Sequence, residues 1–276
     1  MMDNTLPNSD FSYDPVTAIS EDEAKGKTAE IFLDIRKTMN ISLITSIWRG
    51  LASMDNSLEE VWALTKPIYL SGTPELALKN MINTINIPTP AFNNNFKDIK
   101  KSDLSHIKNI ITVYNKSNGM NLMALSALVM SEYKPRIAIT NTPLKIMEST
   151  FPELMKKEDI TSESWLIVKK VNSLGSPQGE DAHIATLWRH LAHWPHFLSI
   201  IYNHFKILDL NGDINTVQKN VLEHVKTKGI NLKRQKIKYE EIDSFTLNTI
   251  TDYVHTTNQV IRMVVLGNMM IKWIEQ

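Results

Sequence analysis

The chain has 276 residues, of which 42% are hydrophobic, and its 30 basic residues balance its 30 acidic residues. This length supplies a core for one large domain or for two domains of ordinary size. The charge balance excludes a global field that would attract nucleic acid or another polyanion, and the absence of cysteine excludes disulfides, thiolate metal sites and thiol-based catalysis.

The terminal and apolar segments predict a soluble, cytoplasmic protein. Residues 1–10 have neither the basic start nor the apolar run of a signal peptide. The longest apolar stretch, 260–274, contains Arg262 and Lys272 and is too short to span a bilayer, so no membrane partner is expected. The basic segment 233–238 is followed at once by acidic residues, and we interpret it as a solvated loop without nucleic-acid contacts.

The sequence contains a duplication with an offset of 140 residues. Residues 44–72 align without a gap with 184–212 and are identical at nine of 29 positions, among them a Trp-Arg pair. Such self-similarity predicts two helical repeats of about 130 residues, packed as an intramolecular pseudo-dimer. The predicted divisions are an N-terminal extension (1–19), a first repeat (20–133), a connection (134–160) and a second repeat (161–276).

Helical spacing of apolar residues predicts helices throughout the first half. Ser20 and Glu23 have the spacing of a capping box and place the first helix at 21–38. Further helices are predicted at 42–54, at 56–70 and from Thr73 onward. A last helical region, 102–130, is predicted to be interrupted by the polar residues 115–119, and such a break is a natural place for a pocket.

The second half is predicted to follow the same order of elements. Its helices are expected at 162–174, 181–194, 196–210, 213–228 and, as one long helix, 244–276. The connection is expected to contain a short helical turn near 144–147. No segment alternates apolar and polar residues over six or more positions, so no sheet is expected and the predicted class is all-α.

Two clusters were tested against the requirements of a metal site. His190, His193 and His196 are three residues apart, as zinc ligands on one helix face would be, but a proline interrupts the helix and no carboxylate has matching spacing. The segment 209–213 resembles the start of a calcium loop, but its glycine comes too early and the final ligand position is Asn220. We therefore expect neither a metal nor another cofactor.

Two groups of polar residues are candidates for binding an anion. Arg49 and Arg189 occupy the same position in both halves, which favours pairing within the helix bundle over substrate binding. A single active site is expected to use positions at which the halves differ. The most asymmetric polar stretch is 114–122, in which Asn118 recurs as Asn258 but Asn115 and Asn121 have no asparagine opposite them. The three asparagines could converge on a carboxylate or orient a water, although they could also satisfy backbone groups at a helix break.

Four short motifs occur in a fixed order, at 34–38, 48–52, 114–128 and 189–195. Their order resembles that of the group I DL-2-haloacid dehalogenases. The resemblance implies one active site between two helical halves, which hydrolyses small 2-halocarboxylic acids without a covalent ester. It further implies that an aspartate activates the attacking water, that one of the three asparagines assists, and that polar side chains such as Ser46 and Thr186 bind the carboxylate.

The chain departs from this pattern at Leu187. The position implied for the aspartate, two residues before the arginine of the last motif, is Leu187, which cannot accept a proton. The nearest acids, Glu180 and Asp181, lie almost two turns earlier on the predicted helix. Two hypotheses stay open: a working hydrolase with another base, and an inactive relative that binds a small carboxylate or a protein partner in the same cleft. The sequence also leaves open whether the protein forms a homodimer.

Overall fold

The computed structural model describes residues 18–91, 96–130, 133–135, 151–230, 234–236 and 242–276. The helices of the first half are α1 (Gly26–Met39), α2 (Ser46–Leu51), α3 (Ser57–Leu70), α4 (Thr73–Thr84) and α5 (Lys101–Met130). Those of the second half are α6 (Ser162–Ser173), α7 (Thr186–Leu191), α8 (Pro195–Leu210), α9 (Asp213–Lys228), α10 (Ser244–His255) and α11 (Val260–Ile274). The predicted all-α class is confirmed, while residues 1–17 and the turn expected near 144–147 lie outside the described residues.

Two short strands accompany the helices. Strand β1 (Tyr133–Pro135) pairs antiparallel with β2 (Arg234–Lys236), with Lys134 opposite Gln235. The expectation of no strand was therefore wrong at these positions, as was the assignment of the residues of β2 to a loop. Strands of three residues are too short to produce a recognisable alternation of apolar and polar residues.

The hydrophobic core is built along α5, which packs against α11 and also contacts α3, α4, α7 and α10. Around it, α1 packs on α3 and α6 packs on α8. Gly267 on α11 makes room for the Asn115 side chain of α5, because a Cβ at Gly267 would lie 1.7 Å from Oδ1 of Asn115. Within the described parts of the chain, no helix is both long and apolar enough to cross a membrane.

The helix starts recur at the 140-residue offset. Helices α2 and α7 begin at Ser46 and Thr186, and α4 and α9 begin at Thr73 and Asp213. The residue before each of the latter two is a left-handed glycine, Gly72 with φ of 69° and Gly212 with φ of 79°. Residues 209–213 therefore form a helix junction, whereas the duplication and the pseudo-dimer stay predictions.

The first helix begins later than expected. Ser20 and Glu23 do form the hydrogen bonds of a capping box, with 2.7 Å between the Ser20 hydroxyl and the Glu23 carboxylate. They close a separate turn, however, because Gly26 has a φ of 53° and α1 begins only there. Helix α2 is also shorter than the predicted 42–54.

The helix break was predicted in the wrong half of the chain. Helix α5 runs without interruption through 115–119, whereas the region expected to be one helix, 244–276, is divided into α10 and α11 by residues 256–259. Asn115, Ser117 and Asn118 of this stretch are buried, and a Cβ at Gly119 would lie 2.5 Å from Leu78. The polar pattern therefore indicated a buried cluster and a close helix contact rather than a loop.

The helix predicted at 181–194 begins only at Thr186, because Asn172 holds the preceding segment in an extended conformation. The Asn172 amide donates to the carbonyl groups of Ala182 and His183 at 3.0 and 3.2 Å and accepts from the Ala185 N–H at 3.1 Å. Glu180 and Asp181 consequently lie in an exposed 3-10 turn before this segment. They are not on the helix that contains Leu187.

Candidate functional site

A cavity of about 320 Å³ lies where α2, α5, α7, α10 and α11 meet, and we call it the inner pocket. An open cavity of about 1030 Å³, the outer cleft, shares part of its lining. The shared residues are Ser46, His183, Tyr253 and Gln259. The outer cleft and the inner pocket are therefore adjacent.

Three of the predicted site residues line the inner pocket at the starts of two helices. Ser46 is the first residue of α2, and Thr186 and Leu187 are the first two residues of α7. The two hydroxyl side chains occupy equivalent positions at the 140-residue offset. Neither makes a hydrogen bond with another described residue, so both are available to a ligand. Leu187 is 1% exposed and gives this part of the pocket an apolar surface.

Asn118 is the one predicted asparagine that lines the inner pocket. It is buried in α5, and its amide makes no hydrogen bond with any other residue in the described ranges. An amide in this state has both its oxygen and its N–H groups available to a bound molecule. Its position, one helical turn after Tyr114, places both side chains on the same face of α5.

Asn121 is fully buried and belongs to the scaffold. Its amide donates to the Thr45 hydroxyl at 2.9 Å, and its oxygen accepts from Nε1 of Trp48 at 3.2 Å and from the Tyr69 hydroxyl at 2.9 Å. These bonds join α5 to the start of α2 and to α3. Because its oxygen already accepts two hydrogen bonds, Asn121 has little capacity left for a substrate.

Asn115 also lies away from the inner pocket. Its side chain faces Gly267 on α11, and its buried Oδ1 has no hydrogen-bond partner among the described residues. The structure thus separates the three asparagines that the sequence grouped together, and it brings only Asn118 to the wall that contains Ser46, Thr186 and Leu187.

The inner pocket also contains a buried cation, Arg262, which the sequence analysis did not propose. Its Nε donates to the Asn258 carbonyl at 3.2 Å, and its Nη atoms donate to the carbonyl and the side-chain oxygen of Asn172. None of the ion pairs within the described ranges includes Arg262. Burial lowers the pKa of Arg262 to about 10, which still leaves it protonated at neutral pH.

A signal for Arg262 was present in the sequence. The equivalent residue at the 140-residue offset is Leu122, so Arg262 satisfies the expectation that a single site uses positions at which the halves differ. The sequence analysis did not select Arg262 because it lies in the apolar segment of α11. In such a segment, a single arginine indicates only that the segment does not span a membrane.

The wall of the inner pocket also contains a tyrosine that is bonded to a buried histidine. The Tyr114 hydroxyl lies 2.9 Å from Nδ1 of His190, and Nε2 of His190 lies 3.0 Å from the Pro152 carbonyl oxygen. Because a carbonyl can only accept, Nε2 carries the proton and Nδ1 accepts from Tyr114. Burial lowers the pKa of His190 to about 4 and raises the pKa of Tyr114, so both are neutral at pH 7.

The three histidines considered as a metal site do not converge. His190 contacts Tyr114, the exposed His193 bonds the Glu153 carbonyl through Nε2 at 2.8 Å, and His196 is exposed. A search of the described residues found no group of three or more His, Cys, Asp or Glu side chains placed to hold a metal ion.

The arginines shared by both halves, Arg49 and Arg189, are buried outside the inner pocket. Nε of Arg189 donates to the Met155 carbonyl at 2.9 Å. Their role within the helix bundle stays a prediction. Of the described residues that line the inner pocket, none is an aspartate or a glutamate.

Comparisons with known proteins identify the fold. No protein-family model matches the chain, and no curated protein matches it. A crystal structure of a D-2-haloacid dehalogenase mutant matches with a TM-score of 0.70 and 11% identity, over 95% of this chain and 96% of that chain. The complex of such a mutant with D-2-CPA gives 0.69 and 11%, over 94% and 95%. A complex of D-2-haloacid dehalogenase with L-LA gives 0.69 and 11%, over 95% and 97%.

The protein therefore has a D-2-haloacid dehalogenase-like fold, which extends over nearly the whole chain. The resemblance drawn from the four sequence motifs is confirmed at this level. At 11% identity the likeness shows the fold alone.

Proposed function

We propose that the inner pocket binds a small 2-substituted carboxylic acid and that the protein hydrolyses the carbon–halogen bond of 2-halocarboxylic acids. The observation that carries this proposal is the buried charge of Arg262. Arg262 forms no ion pair among the described residues, and the Asp209 carboxylate, which raises its pKa, offsets less than the effect of burial. A buried charge without a close partner is costly, and an anionic ligand beside the guanidinium would stabilise it. The hydrogen bonds to Asn172 and Asn258 leave two of its five N–H donors without a described partner.

The neutral polar groups around Arg262 fit the remainder of such a ligand. Ser46, Asn118 and Thr186 present hydroxyl and amide groups to the same cavity, and Leu187 and Met263 add apolar surface for the carbon atoms. A concave pocket with apolar surface and a few convergent polar groups is the usual form of a small-molecule site. The three similar structures are named as D-2-haloacid dehalogenases, and two of them are complexes, one with D-2-CPA and one with L-LA. These names agree with the proposed substrate class.

Calorimetric titration with lactate and with its neutral analogue lactamide tests carboxylate recognition. We expect lactate to bind and lactamide to bind much more weakly, because charge-assisted hydrogen bonds contribute about 1.5–3 kcal/mol each. Arg262→Gln should reduce lactate affinity about 10- to 100-fold. The matched control is Lys272→Gln, which removes a positive charge from the same helix, at a side chain that donates to the Ile87 carbonyl at 2.6 Å. Equal binding of both compounds would contradict the proposal.

An inactive carboxylate-binding protein is the second candidate, and the apolar Leu187 favours it. In this case the wild type would bind lactate but would release no halide from a 2-haloacid. Leu187→Asp places a carboxylate at the position implied for the base. Halide release that appears only in this variant would support the inactive candidate and reject hydrolysis by the natural protein.

A further inference from the structure

We propose that Tyr114, with His190 as its proton acceptor, replaces the missing aspartate as the group that deprotonates the attacking water. This inference rests on the proposed function, because it assigns a base to the same pocket. The structural basis is one chain of contacts, from the pocket wall to the Tyr114 hydroxyl, from there to Nδ1 of His190, and from Nε2 to the Pro152 carbonyl.

The position of His190 relative to Leu187 supports this assignment. The two residues are three apart on α7, and side chains at this spacing lie on the same helix face. The proton acceptor would therefore lie one turn along the helix from the position at which the resemblance implies an aspartate. It would reach the pocket through Tyr114, because His190 does not itself line the cavity.

The hydrogen-bond directions leave the Tyr114 oxygen ready to accept a proton. Since Tyr114 donates its own hydrogen to Nδ1, the lone pairs of its oxygen are available to a water in the inner pocket. Asn118, on the same face of α5, has an unengaged amide that can hold that water. His190 is fixed from the other side by Pro152, and its ring packs between those of Tyr114 and Phe151.

The reaction balances without any further reactant. The water oxygen forms a bond to C2 of the haloacid, and the halide leaves with the electrons of the carbon–halogen bond. The proton of the water passes to the Tyr114 oxygen while the Tyr114 proton passes to Nδ1 of His190. The resulting imidazolium returns its proton through Tyr114 to solvent after the 2-hydroxy acid has left. The products are the 2-hydroxy acid, halide and one proton.

The base strength of His190 is suited to this task. Burial lowers its pKa to about 4, which is close to that of an aspartate. The charged and titratable groups that act on the pair are Arg189 from α7, His193 from the turn after α7, Arg49 from α2 and Glu21. Activity should therefore stay constant from pH 8 to pH 5 and fall only near pH 4. A fall near pH 6.5, where ordinary exposed imidazoles titrate, would indicate a different base.

The decisive variant is His190→Asn, assayed with both enantiomers of 2-chloropropionate. The asparagine oxygen can replace Nδ1 as the acceptor for the Tyr114 hydroxyl, but it cannot take up a proton. We expect kcat to fall about 100-fold or more with KM within about twofold, since general-base catalysis contributes that much. Tyr114→Phe should have a similar effect on kcat. The matched control is His193→Asn, one turn away and bonded to the Glu153 carbonyl, which should leave kcat unchanged.

A measurement on the wild type keeps the test valid if a variant fails to fold. The rate in mixtures of H2O and D2O should depend on the deuterium fraction in a curved manner, because two protons move in one step. A linear dependence, or normal kcat in folded His190→Asn, would overturn the assignment. A wild type that binds lactate but releases no halide would also overturn the assignment of Tyr114 and His190. In that case the proposal of a carboxylate-binding site would remain supported. A wild type that neither binds nor turns over would reject the proposed function as well.

Discussion

Helix α5 and the pair α10 and α11 contain equivalent parts of the two halves at the 140-residue offset, but they use their polar residues differently. In α5, Asn115, Asn118 and Asn121 lie within a continuous helix and are buried. In the second half the helix is interrupted at 256–259, and Arg262 then bonds the carbonyl of Asn258 at the break. The first region thus supplies neutral polar side chains to the pocket from within a helix, and the second supplies the charge of the pocket from beside a helix break.

The contact between α5 and α11 offers the largest expected effect. Gly267→Ala would place a Cβ 1.7 Å from Oδ1 of Asn115, so either the buried Asn115 side chain would have to turn away or α5 and α11 would have to separate. We expect the free energy of unfolding in urea to fall by about 3 kcal/mol, at the upper end of overpacking effects. The control is Gly50→Ala in α2, where a Cβ has open space and helix propensity predicts a gain of up to about 1 kcal/mol.

Removal of the Asn115 side chain tests the cause of that effect. In the double variant Gly267→Ala with Asn115→Ala, the clash is gone, and we expect at least half of the lost stability to return. Coupling of this kind is expected for residues in direct contact. Additive losses from the two substitutions would show that another contact of α11 limits its approach to α5.

The asparagines of α5 provide the next test, because they differ in role. Asn121→Ala removes the acceptor of the buried Trp48 Nε1–H and of the Tyr69 hydroxyl, and we expect a loss of about 2 kcal/mol in the free energy of unfolding. Asn118→Ala removes an amide without protein partners and should cost less than about 1 kcal/mol. Lactate affinity, in contrast, should fall more in Asn118→Ala than in Asn121→Ala. A larger stability loss for Asn118→Ala would contradict the division between scaffold and pocket.

The pH dependence of stability gives a smaller and graded effect. The pKa of His190 is lowered to about 4 in the folded protein, whereas an unfolded histidine titrates near 6.5. Between these values the unfolded chain binds the extra proton, so stability falls as the pH falls through this window, by at most about 1.4 kcal/mol per pH unit. Chemical unfolding at a series of pH values should show a flatter slope for His190→Asn. An unchanged slope would mean that His190 is not buried in its neutral form.

The sequence predicted the helices well where a regular apolar face decides the structure. Helices α3, α6 and α9 begin and end within about a residue of the predicted bounds, since nothing but capping and periodicity is needed there. It failed where one buried side chain overrides local preference. Asn172 keeps 182–185 extended and thus delays the start of α7, although it lies ten residues earlier in the sequence.

The candidate site was only partly predictable for a related reason. Ser46, Thr186 and Leu187 were found through the resemblance, and they do lie together. The contact between Tyr114 and His190 joins residues 76 positions apart, and no pattern in one sequence reports such a pairing. The separation of Asn115, Asn118 and Asn121 also depends on neighbours from other helices rather than on their spacing.

Halide release from the two enantiomers of 2-chloropropionate tests the central claim most directly. We predict that the wild type releases chloride from at least one enantiomer, with one 2-hydroxy acid formed for each chloride. Arg262→Gln should lose this activity while Lys272→Gln retains it, because only Arg262 places its charge beside the inner pocket. A folded wild type that releases no chloride from either enantiomer would contradict hydrolysis of this substrate, whatever its affinity for lactate.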